Sequence, residues 1–194
     1  MKKLFLFLIS IVMNLSSYAQ VESPHMTFKG VPIDGKLKEY VEKMKAKGFT
    51  SLGIEDGFAL LKGDFAGYKD CTIGVSTLKE ADLVSRIAVI FPNRDTWSTL
   101  SNNYFSLKEM LTEKYGQPAE EIEEFQTNLE PRDDNSKMHE LSMDRCKYIT
   151  IFDTQKGKIR LYISHDGFST HFVVLAYLDK LNSEVIREKA MDDL

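Results

Sequence analysis

One helical stripe, Trp97, Leu100, Tyr104, Leu107, Leu111 and Tyr115, stands between two sets of short β-favouring runs and limits what the chain can fold into more than any other stretch. Its spacing keeps six large apolar side chains on one helix face, and Gly116 and Pro118 stop it. A helix with one apolar face must lie against another apolar layer. The flanking runs supply that layer. Before the helix come "GFALLKGDFAGY", "CTIGVSTL" and "VSRIAVIFP", in which Ile87, Val89 and Phe91 alternate with Arg86, Ala88 and Ile90. After it come "CKYITIFDT", "GKIRLYISH" and "HFVVLAYLD", joined through the turns "TQKG" and "HDGFST". Short connections between alternating runs predict antiparallel meanders.

A further amphipathic helix precedes the first meander. Asp34 is placed to cap it, Leu37, Tyr40, Val41 and Met44 form its apolar face, and Gly48 ends it. Residues 182–194 read as a closing helix. The order α-βββ-α-βββ-α predicts an α+β fold, antiparallel sheet meanders with helices on one face, in a single domain over residues 34–194. "LKE" recurs at Leu37–Glu39 and Leu107–Glu109, which with the matching element order points to a two-fold internal repeat of residues 34–95 and 96–180. The alternative is one continuous sheet without internal symmetry. Trp97 and Phe152 are expected in the core.

The chain starts with Lys2 and Lys3, an apolar run from Leu4 to Met13, and small residues at Ser17 and Ala19. This pattern reads as an export signal over residues 1–19, cleaved after Ala19, and the run is shorter than the roughly twenty residues a membrane span needs. Residues 20–33, with two prolines, read as an extended lead-in. No cysteine stands near the cleavage point to take a lipid. Cleavage moves the formal charge from −4 to −6 by removing two lysines, a balance that argues against nucleic acid or anionic lipid as partners. The expected location is the periplasm or the exterior, where disulfides persist. Cys71 and Cys146 are therefore a disulfide candidate, with two buried thiols as the alternative.

"MTFKGVPIDG", "GFALLKGDFAGYKDCTIGV" and "LTEKYGQP", with the signal ending "YAQ", resemble a group of small exported proteins of unknown function from Bacteroidetes-type bacteria. The element order over residues 34–180 is similar to the tandem α/β modules of the β-lactamase inhibitor protein family and to the BamE-like fold of outer-membrane assembly lipoproteins. Neither resemblance implies catalytic residues for this chain.

Reactive side chains are sparse. His165 and His171 lie symmetrically about Phe168, so a hairpin with a five-residue loop makes them a facing pair. Two imidazoles are half of a zinc site, and the remaining histidines, His25 and His139, are far away in sequence. Ser164, His165 and Asp166 are consecutive on a strand and point to alternate faces, so they do not converge as a triad. No motif calls for a metal or a cofactor. The acidic stretch from Glu120 to Lys137 reads as a solvated edge and long loop suited to gripping a partner. Tyr68, Tyr148 and Tyr162 fall on strands, and a sheet covered on one face leaves the other wet. These features predict an exported, non-catalytic module that binds a protein, peptide or envelope component through Tyr68, Tyr148, Tyr162, His165 and His171. The alternative is a hydrolase with a scattered site near the two histidines.

Overall fold

Alternating apolar residues line up across eight antiparallel strands to give one broad sheet with a single densely packed face. The computed structural model describes residues 23–78, 82–127, 129 and 131–192. The export signal and its cleavage point lie outside these residues.

A two-stranded hairpin, β1 (Thr27–Phe28) and β2 (Val31–Pro32), precedes helix α1 (Leu37–Ala46). Four strands follow: β3 (Thr50–Glu55), β4 (Phe58–Phe65), β5 (Tyr68–Leu78) and β6 (Leu83–Ile90). Helix α2 (Trp97–Tyr115) leads into β7 (Glu120–Phe125), helix α3 (Asp134–Ser142), β8 (Cys146–Thr154), β9 (Gly157–Asp166), β10 (Thr170–Asp179) and helix α4 (Lys180–Asp192). The sheet order is β3-β4-β5-β6-β10-β9-β8-β7. Each half is a meander introduced by a helix, and the halves join where β6 runs antiparallel to β10, with Ala88 opposite Ala176. Exchanging the halves about that junction preserves the strand order.

The α+β class holds, and each half has four strands rather than three. The "LKE" match does not mark equivalent positions: Leu37 opens α1, whereas Leu107 sits in the middle of α2. Among the described residues, no helix is long and apolar enough to cross a membrane.

Register fixes which face each strand buries. Leu61, Ile73, Val89, Leu175 and Leu161 form one row of consecutive partners, and all are buried. Against this face pack Leu37, Tyr40, Val41 and Met44 of α1, Trp97, Leu100, Tyr104, Leu107 and Leu111 of α2, and Met138 and Leu141 of α3. Phe28, Val31 and Ile33 of the lead-in complete it. Trp97 and Phe152 are core residues as expected.

The helix starts follow two capping routes. Thr96 caps α2, its hydroxyl accepting from the Thr99 amide at 3.3 Å. Asp34 does not cap α1. Asp82, from the loop before β6, accepts from the Leu37 amide at 3.3 Å instead, while Asp34 accepts from the Asn182 side chain at 3.2 Å. Asp179 is fully buried and holds the lead-in against α4, accepting from the Met26 amide at 2.7 Å and the Asn182 amide at 3.0 Å and contacting His25 Nδ1 at 2.9 Å.

The disulfide expectation is corrected: both cysteines are free. Cys71 is on β5 and Cys146 on β8, four strand spacings apart across β6, β10 and β9. At about 4.8 Å per spacing this is about 19 Å, far beyond the roughly 7 Å Cα limit for a bridge.

Candidate functional site

The second face of the sheet carries a continuous apolar row. Ile122 pairs with Ile149, Ile149 with Tyr162, Tyr162 with Val174, and Val174 with Ile90. These residues belong to the opposite set from the row that α1, α2 and α3 cover, because neighbouring strand residues point to opposite faces. Tyr162, Ile149, Ile122 and Ile90 are half-buried. The row crosses five strands, a span of about 19 Å. Beside it runs a second row, Leu60, Gly74, Ala88, Ala176, Arg160 and Ile151.

The small residues make the floor of that second row low. Phe58 closes one end, its ring 3.2 Å from where a Cβ on Gly74 would stand. The cations Arg86, Lys158 and Arg160 flank the floor, and Lys158 pairs with Asp153 at 2.8 Å. At the sheet end, Lys158 and Leu178 of this face meet Ser183, Glu184 and Arg187 of α4 around a hollow of about 490 Å³. Helix α4 thus borders the second face at its rim instead of joining the other helices.

Of the three tyrosines expected on a wet face, only Tyr162 lies there. Tyr148 packs edge-on to Trp97 at 5.0 Å and to Tyr104 at 5.8 Å, on the helix-covered face. Tyr68 packs edge-on to Phe91 at 5.0 Å. A bulge turns Tyr68 inward: the register shifts between Gly63 and Phe65, and Asp70 adopts φ +57°. Simple alternation along β5 cannot reveal that turn.

His165 and His171 do face each other, as a register pair of β9 and β10 with ring centroids 6.4 Å apart. They sit on the helix-covered face near the end of α3. His171 is 4% exposed and its Nε2 lies 2.8 Å from Ser142 Oγ. That hydroxyl donates to the Met138 carbonyl at 2.9 Å, so it accepts from the imidazole N–H. A general base needs the reverse arrangement. His165 contacts Asp144 Oδ1 at 3.1 Å and the Gly167 carbonyl at 2.9 Å. Partial burial pulls the His165 pKa down, yet the Asp144 and Gly167 hydrogen bonds and the Asp144 and Asp166 charges outweigh it and leave the pKa raised. Burial, then the neighbouring His165, lower that of His171. Among the described residues, no group of three or more His, Cys, Asp or Glu is arranged to hold a metal ion.

The acidic stretch is not a plain loop. Glu120–Phe125 forms the edge strand β7, and Lys108 of α2 pairs with Glu121 at 2.9 Å and Glu123 at 2.6 Å. Asp133 caps α3 by accepting from the Ser136 amide at 2.9 Å. The thiols offer no reactive centre, since burial raises the Cys71 pKa and pushes Cys146 up to about 12.

No protein-family model, no curated protein and no solved structure matches the chain.

Proposed function

We propose that the protein is an exported, non-catalytic recognition module whose second sheet face docks a polypeptide segment. The observation that carries this reading is the row Ile122, Ile149, Tyr162, Val174 and Ile90, half-buried except at the buried Val174, which crosses the sheet on the face opposite α1, α2 and α3. A strip of this kind suits a partner that brings its own apolar side chains, with the Tyr162 ring giving contact area and a polar tip. Arg86 and Arg160 beside it favour carboxylates on that partner. The histidine pair supports the fold, because its hydrogen bonds are spent on Ser142, Asp144 and the hairpin itself.

Screening a displayed library of random peptides against the immobilised protein tests the reading. Apolar, acid-containing sequences should be enriched, and Ile149→Asp should remove the enrichment while the protein still unfolds cooperatively. Enrichment unchanged by Ile149→Asp, or none at all, overturns it.

A further inference from the structure

A separate hollow of about 370 Å³ lies between the start of β5, the loop after β6 and the first half of α2, lined by Tyr68, Arg94, Thr99, Asn102 and Asn103. Two of its side chains have unmet demands. Asn103 is 5% exposed, and neither atom of its amide has a hydrogen-bond partner among the described residues. A buried amide left unpaired loses its hydrogen bonds to water without replacement, so native chains rarely keep one without a use. Arg94 is half-buried, and among the described residues its guanidinium makes one hydrogen bond, Nη1 to the Asn93 carbonyl at 3.3 Å. The nearby acids are engaged elsewhere: Asp64 with Lys69, Asp70 with Lys62 at 2.9 Å, and Asp95 with the Asn93 amide group at 3.2 Å.

The same guanidinium acts electrostatically on the Tyr68 phenol. Burial raises the phenol's pKa, and the Arg94 charge pulls against it. Cation, phenol and unpaired amide thus share one recess.

The lining also selects the ligand. One guanidinium neutralises one negative charge, and its planar fork matches a carboxylate. A phosphate would want more donors, and the first turn of α2 offers few, since the Thr96 hydroxyl already takes the Thr99 amide. Asn103 presents both a donor and an acceptor, the complement of another amide.

We propose that this hollow binds a carboxylate adjoining an amide, with Arg94 holding the carboxylate, Asn103 pairing with the amide and Tyr68 forming the wall. An N-acyl amino acid and the C-terminal residue of a peptide both carry that chemistry. The site is independent of the second sheet face.

The test follows the Asn103 side-chain amide signal by NMR while the folded protein is titrated with N-acetylalanine, with the acetylated tetrapeptide Gly-Ala-Gly-Ala, and with the C-terminal amides of both. The acids should shift that signal saturably, with the amides at least tenfold weaker. A tenfold preference for the tetrapeptide acid identifies a peptide end as the ligand, and a preference for N-acetylalanine identifies a free small molecule. Arg94→Gln should weaken binding at least tenfold, whereas Lys43→Gln on the exposed side of α1 leaves it unchanged. Asn103→Leu, which lacks that signal and is followed by titration calorimetry instead, should abolish binding and raise Tm, because it removes an unpaired amide. No saturable shift, equal binding of acids and amides, or a lowered Tm in Asn103→Leu overturns the proposal.

Discussion

His165 faces His171 across the β9–β10 hairpin, yet their surroundings favour opposite charge states: Asp144 sits against the first and Ser142 against the second. From an ordinary value of 6.5, the His165 pKa is raised and that of His171 lowered.

The pair therefore contributes to stability with opposite signs. His165 adds stability below pH 6.5, which is lost as pH rises through its raised value. His171 costs stability as pH falls from 6.5 through its lowered value, because the unfolded chain takes up that proton first. Imidazole NMR titration should place His165 above His171. Asp144→Asn should lower the His165 pKa and make the protein lose more stability on acidification than the wild type. Coincident titrations would contradict this assignment.

Asp179→Ala removes the acceptor for two buried amides and frees the lead-in from α4. The expected loss is about 3 kcal/mol, read from urea unfolding. A loss below about 0.5 kcal/mol, the scale of an ordinary surface change, would show that the anchor is dispensable.

Gly63→Ala would place a Cβ 2.5 Å from Phe49 Cδ1, inside the packed face. Overpacking of this kind costs about 1–3 kcal/mol, and thermal unfolding should show a lower Tm. Phe49→Leu in the same chain should recover part of the loss, and an unchanged Tm in Gly63→Ala would contradict the packing described.

Unreduced protein should keep the mass of two free thiols, and both should react with a thiol reagent only after denaturation. A mass two hydrogens lower would mean that Cys71 and Cys146 come together despite the strand order.

Strong periodic signals survived into the structure, and locally overridden ones did not. The stripe from Trp97 to Leu111 is buried in α2, and the spacing about Phe168 gave the His165–His171 register directly. Strand β3 is weakly patterned, with a bulge between Ser51 and Gly53 breaking its alternation. Strand β7 hides behind glutamates whose charge is met by Lys108, a partner visible only in three dimensions. Helix α3 did have a local signal, Asp133 three residues before Ser136 with Met138 and Leu141 on one side, masked by the surrounding charges. Tyr68 turns inward because a bulge reverses its direction, and Arg94 and Asn103 meet only through tertiary packing. Composition carries no trace of such meetings.

We propose the second sheet face as the recognition surface, and a photo-crosslinking amino acid placed at Tyr162 in the producing cell probes it in place. A discrete polypeptide adduct is expected from position 162 that disappears with Ile149→Asp and is absent when the crosslinker is placed at Glu113 on the outer side of α2. Adducts that are equal from both positions, or none from position 162, would contradict it.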